Sequence, residues 1–317
     1  MARTKRMVRL LRVPDGALGA RTVPITSAHQ TVRTSSAGGT VRVNPACGKR
    51  RWRGLNMSIM TSLARLAGVS LIALIAGVAS AQAANLVGLT ADGKLVSIDT
   101  ATMTASAPVA VSGDKLVGID VRPADGKLYG VAADGQIVTI DPKTGAVTKV
   151  STISEKVTLG DRPVVDFNPA ADRLRVIAAG GVSLRINVET GATIVDKPLS
   201  FDAADASAAK KPAVVAGAYT NSVAGAKATE LFHVDGTTGA WVLQSPPNDG
   251  ILKTRGALGV ANLADAVVDI ATEGDKNTAW MIAGGTLYTI DIASGKATSV
   301  GAVKGMTGKL LDIAVWK

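Results

Sequence analysis

One short pattern returns five times along this chain: Ile or Val, then Asp or Asn, two variable residues, Thr or Ser, then Gly. It reads Ile140-Asp-Pro-Lys-Thr-Gly145, Ile186-Asn-Val-Glu-Thr-Gly191, Val234-Asp-Gly-Thr-Thr-Gly239 and Ile290-Asp-Ile-Ala-Ser-Gly295. The first copy, Ile98-Asp-Thr-Ala-Thr-Met103, departs at its last place. An Asp or Asn that opens a turn accepts a backbone N–H, and a closing Gly takes the left-handed conformation, so each copy predicts a β-hairpin turn. The likeness extends backwards. Residues 86–99, 128–141, 174–187 and 278–291 align without gaps as strand, Gly-containing turn, strand, with β-branched residues alternating. Another strand stands upstream at 117–121, 164–167, 267–270 and 310–313, with 214–219 in that place in the fourth unit. A fourth strand follows downstream, as at 146–153 and 296–300. Units two and three superpose at an offset of 46 residues.

A unit of that length with four short antiparallel strands is a propeller blade. A β-sandwich needs no fixed period. The repeat begins with a second strand, 85–90, and ends with a lone first strand, 309–316. Pairing the two closes a ring and removes the exposed edges. The expectation is an all-β, five-bladed β-propeller over residues 84–317, closed by the C-terminal strand on the N-terminal blade.

The chain has 35 Lys+Arg and 25 Asp+Glu. Residues 1–83 hold 13 of the basic residues and one acid, Asp15. Taking these away leaves 22 basic and 24 acidic residues in 84–317, a net charge of −2. Nucleic acid is therefore not an expected partner of the body. Cys47 is the single cysteine and His233 the single histidine beyond residue 83. That excludes a disulfide framework and any multi-His or Cys-ligated metal site in the body. Residues 57–83 have Arg65, an uncharged apolar run and an Ala81-Gln82-Ala83 cleavage site, the three parts of a secretory signal peptide cut before Ala84. The alternative is membrane attachment through an uncleaved 66–90 segment. Residues 1–56, with ten Arg and no periodicity, read as a disordered extension upstream of a later true start.

The strings Asp166-Phe-Asn-Pro-Ala-Ala-Asp-Arg-Leu-Arg-Val176, Ala218-Tyr-Thr-Asn-Ser222 and Gln244-Ser-Pro-Pro-Asn-Asp-Gly250 resemble the bacterial "domain of unknown function 4394" family. The resemblance covers residues 85–317. It implies an exported, propeller-like domain and carries over no catalytic role.

Three constellations are candidates for chemistry. Asp120, Asp166, Asp269 and Asp312 occupy one place on the first strand of four units, and first strands line a propeller's channel. Converging carboxylates suit Ca²⁺, which takes six to eight oxygens; the alternative is that each Asp ties down its own blade by hydrogen bonds to neighbouring loops. Arg162, Arg173, Arg175 and Arg185 cluster in the third unit. They suit an anionic ligand, or an internal network with Asp166, Asp172 and Glu189. The fourth unit breaks the repeat with polar loops, where Tyr219, Asn221, Asn248 and Asp249 suit a sugar or peptide. No nucleophile elbow, zincin, P-loop or dinucleotide fingerprint is present in the body. The expected function is a binding or interaction module of the periplasm or cell exterior, with a small molecule, glycan or protein as partner. Two other classes stay open: a calcium-assisted hydrolase or lyase using the channel carboxylates, and a structural envelope or matrix protein.

Overall fold

The computed structural model describes residues 83–317. The Arg-rich extension (1–56, with Cys47) and the signal segment, apart from Ala83, lie outside the described residues. Blade 1 holds β1 (Asn85–Thr90), β2 (Lys94–Asp99) and two short outer strands, β3 (Thr104–Ala105) and β4 (Val109–Ala110). Blade 2 is β5 (Leu116–Val121), β6 (Leu128–Ala132), β7 (Gln136–Ile140) and β8 (Val147–Thr152). Blade 3 is β9 (Val164–Asn168), β10 (Arg173–Ile177), β11 (Ser183–Ile186) and β12 (Thr193–Val195). Blade 4 is preceded by β13 (Ser200–Phe201) and contains β14 (Val214–Tyr219), β15 (Leu231–Asp235), β16 (Ala240–Gln244) and β17 (Ile251–Ala257). Blade 5 is β18 (Val267–Glu273), β19 (Lys276–Ala283), β20 (Thr286–Ile290) and β21 (Ala297–Ala302), and the chain ends in β22 (Leu310–Trp316).

Among the described residues these strands form five sheets, each built on a four-stranded antiparallel core. β22 pairs with β1 from Asn85↔Trp316 to Thr90↔Leu310, which closes the ring as the repeat predicts. Blade 4 departs from the repeat: β13 adds a fifth, parallel strand outside β17.

Packing between blades follows from the pleat. First and second strands are buried on both faces because a neighbouring blade covers each side. Small residues let the blades approach: a Cβ on Gly118 would collide with Val165 of the next blade. Apolar clusters fill four seams, between blades 1 and 2, 2 and 3, 4 and 5, and 5 and 1.

The repeated turn is also a joint between blades. Gly145 and Gly191 have φ of 72° and 76°, and their carbonyls accept the N–H of Ser112 and Ser154 on the preceding blade. A Cβ at Gly145 or Gly191 would run into the carbonyl of Ala110 or Thr152. Gly is therefore required twice over, by its backbone angle and by the close approach. Met103, where the pattern departs, keeps the geometry: its φ is 54° and its carbonyl accepts the N–H of Lys304 from blade 5. Its side chain packs against the cluster between blades 5 and 1.

Candidate functional site

The first-strand acids converge as the repeat implies. Asp120, Asp166 and Asp269 are each 5% exposed, and one carboxylate oxygen from each lies within 4.8 Å of the others. Asp312 is buried too but stands outside that triad. Three of the acids tie down their own strand, with Val121, Ile270 and Ile313 N–H donating to Asp120, Asp269 and Asp312, and all four also reach a neighbouring blade. Asp120 accepts the N–H of Phe167 at 2.7 Å, Asp166 that of Tyr219 at 3.0 Å, Asp269 that of Val315 at 2.5 Å and Asp312 that of Ile119 at 3.0 Å. Each acid thus clasps the first strand of an adjoining blade. Blade 4 has Ala218 opposite Phe232, where the other blades pair an acid with a large residue. Its clasp to blade 5 is made instead at the channel mouth, by Ser222 N–H to Thr272 Oγ1 and by Asn221 with Asn277.

Burial raises all four carboxyls, and mutual repulsion adds to it at Asp120, Asp166 and Asp312. Asp269 is pushed up to about 6. Few cations face them. Arg162 reaches across the end at which the first strands begin, donating to the carbonyls of Ala264 and Ala266. At the opposite end Lys317 Nζ donates to the carbonyl of Thr272 at 3.1 Å. There a cavity of about 240 Å³ opens onto Asp120 and Asp269, walled by Val121, Val223 and Ile270 with Lys317 at its rim.

The arginine group divides. Arg175 is 1% exposed and spends its donors internally: Nε to Tyr219 Oη (3.2 Å), Nη1 to Ser183 Oγ (2.8 Å) and Asp196 Oδ2 (2.5 Å), Nη2 to Asn248 Oδ1 (2.9 Å). Arg185 holds both oxygens of the same Asp196 at 2.8 Å. These two guanidiniums depress the Asp196 carboxyl against the desolvation that raises it. The expected partners are corrected. Asp196, which the sequence reading missed, takes the place of Asp166, while Asp172 and Glu189 pair with Arg122. Arg173 is exposed and donates to the carbonyls of Ala171 and Asp172, Arg162 sits at the channel end, and Asp249 pairs with Lys197 at 2.7 Å. Of the predicted ligand residues, the fold brings Arg175, Arg185, Tyr219 and Asn248 together, as a polar seam between blades 3 and 4. Asn221 stands apart, at the channel mouth. The arginine cluster of blade 3 and the pattern break at blade 4 both pointed toward the seam, and only the pattern break pointed toward the mouth.

Two buried groups make stability depend on pH in opposite senses. Folded Asp269 keeps its proton up to about pH 6, against an ordinary 3.8. Its stabilising contribution is full below about pH 4 and is lost as pH rises through about 6. His233 is fully buried. Its Nε2 meets Gln244 Oε1 at 2.7 Å and its Nδ1 has no partner, and burial holds it down to about 4 from 6.5. Its contribution is full above about pH 6.5 and is lost as pH falls through about 4. Each amounts to about 3 kcal/mol across the window. Relative to the unsubstituted protein, Asp269→Asn is expected to gain stability from pH 4 to 6, and His233→Gln to lose it from pH 4 to 6.5. Thermal melts across that range check both; parallel profiles in all three proteins would contradict the assignment.

A model of the family described as "Domain of unknown function (DUF4394)" matches residues 95–314. No curated protein matches the chain. Among solved structures it is similar to a protein of unknown function from Bacteroides caccae, at 12% identity over 73% of this chain and 77% of that one, with a TM-score of 0.38. It is similar also to the PQQ-bound form of aldose sugar dehydrogenase from Streptomyces coelicolor (14% identity, 65% and 86%, TM-score 0.39). A third is the β-propeller domain of Cps50 (Swd1) from Myceliophteria thermophila (10% identity, 68% and 67%, TM-score 0.35).

Proposed function

The chain belongs to the family described as "Domain of unknown function (DUF4394)", and on that premise we propose that it is a binding module of the periplasm or cell exterior. Its ligand is a small cationic group that enters the channel mouth. The observation that carries this reading is a cavity of about 240 Å³ with buried Asp120 and Asp269 at its floor and, among the described residues lining it, Lys317 as the one cation. A rigid ring with closed edges suits such a role, because the receptor is preorganised and loses little freedom on binding. Export rests on the signal-like stretch 57–83. N-terminal sequencing of the protein recovered from its host is expected to begin at Ala84, and a retained Arg-rich segment would overturn export by this signal.

A second reading has its own support. The oxygens of Asp120, Asp166 and Asp269 lie within 4.8 Å of one another and supply three of the six to eight that Ca²⁺ takes. Each of these carboxylates already accepts a backbone N–H, so water must complete the shell. A thermal-shift experiment separates the two. Binding to the native state raises stability by about 2.7 kcal/mol at a hundredfold excess over Kd. Stabilisation by butylamine and glycinamide, lost in Asp269→Asn, supports the organic cation. A rise with Ca²⁺ that a chelator reverses supports the metal. No shift with either removes the channel mouth as a site.

A further inference from the structure

The channel-mouth cavity has two neighbours along the seam of blades 4 and 5, which together form the outer part of a cleft. It shares Val223 and Thr272 with a neighbouring cavity of about 410 Å³, which in turn shares Asn221 and Ala228 with an outer one of about 610 Å³. The three cavities follow one segment, residues 220–230, between β14 and β15. The corresponding connections are shorter: 122–127 in blade 2, 169–172 in blade 3 and 274–275 in blade 5. The cleft lies on the seam where blade 4 lacks its acid and carries Ala218, so blades 4 and 5 are clasped at the mouth rather than in the channel. Val223, which lines both inner cavities, is among the few exposed large apolar residues of the described part, at 37%. The outer end carries charge of both signs, with Arg255 Nη2 and Glu230 Oε1 4.0 Å apart and both side chains exposed.

We propose that the ligand of this cleft is an extended peptide with a free amino terminus. Its ammonium sits at Asp120 and Asp269, and its chain runs outward over Val223 and Thr272 toward Arg255 and Glu230. The inference rests on the cation-binding reading of the mouth and adds the ligand's class and direction. Extent argues for a longer ligand, since three neighbouring cavities that share lining residues exceed what one small cation fills. The inner end takes a terminal ammonium by charge once Asp269 is ionised, above about pH 6. A glycan would need a stacking face, but the aromatic ring lining these cavities, Phe232, is 1% exposed. A polyamine would meet Lys227 in the middle cavity and Arg255 at the outer end, where a peptide's mixed charges are matched. The acids repel nucleic acid.

The test is affinity selection on the immobilised protein with random hexapeptides, half carrying free amino termini and half acetylated, with spermine and chito-oligosaccharides as competitors. Free-amine peptides are expected to bind about tenfold or more tightly than acetylated ones, and to lose that advantage in Asp269→Asn. Should Asp269→Asn fail to fold, Val223→Trp, at an exposed position, blocks the cleft and is expected to abolish retention of both pools. Arg255→Ala is expected to weaken hexapeptides and leave dipeptides unchanged. Equal retention of acetylated peptides overturns the proposal, as does displacement of peptides by spermine or by oligosaccharide. Stabilisation by butylamine without peptide retention overturns the peptide and leaves the mouth site standing. Silence toward both overturns the two readings together.

Discussion

A chain ending at Lys309 is expected to lose cooperative folding. The deleted strand, β22, pairs with β1 along its length. It buries Leu310, Leu311, Ile313 and Ala314. At about 1.5–3 kcal/mol for each large apolar side chain, their loss alone approaches the 5–15 kcal/mol that holds a typical domain together. Deletion also takes the Asp312 carboxylate from Ile119 N–H on blade 2 and Val315 N–H from Asp269 on blade 5. Both seams flanking blade 1 open, and β1 becomes a free edge. Loss of the sigmoidal melt in circular dichroism is the expected reading. A truncated protein that melts as the intact one does would refute closure of the ring by this strand.

Asp196→Ala is expected to destabilise the protein by about 3–5 kcal/mol, because it strands a buried guanidinium without its counter-charge. Arg175 is 1% exposed and Asp196 is its acidic partner, at 2.5 Å. Arg185 suffers less, since its side chain is 31% exposed and water can replace the bidentate contact. Arg175→Met is expected to cost less than Asp196→Ala. It keeps most of the side-chain volume, and Asp196 retains Arg185. The position favours this outcome. Tyr129, Phe232 and Trp280 fill the places equivalent to Arg175 on blades 2, 4 and 5, each directly across from the first-strand acid or Ala218. At about 2–4 °C per kcal/mol for a domain of this size, Asp196→Ala lowers the melting temperature by roughly 10 °C. An Asp196→Ala protein that melts with the unsubstituted one would mean that the seam between blades 3 and 4 does not depend on this ion pair.

The strands of the propeller were legible because local pattern and tertiary role coincide there. Alternating β-branched residues and turn glycines place β1 at 85–90, and the predicted closing strand at 309–316 differs from Leu310–Trp316 by one residue. The channel acids were legible for the same reason, since a repeat that keeps its period places equivalent residues on one axis. The polar seam was not. Asp196 lies just beyond β12, outside every repeated string, and reaches Arg175 only because blade 3 folds its outer strand back along its own sheet. Asp172 and Glu189, nearer Arg173 and Arg185 in sequence, are drawn off by Arg122 from another blade.

By itself, then, the sequence determined the period, the hairpins, the ring's closure and the convergence of Asp120, Asp166 and Asp269, with Asp312 buried beside them. Only the tertiary structure decided that these acids clasp adjoining blades, that Arg175 and Arg185 spend their donors on Asp196, and that the open cleft lies beside blade 4. The physical reason is the range of the interactions. A turn or a strand is written in neighbouring residues, whereas a clasp such as Asp312 to Ile119 joins residues 193 positions apart, and ring closure alone brings them within hydrogen-bond reach.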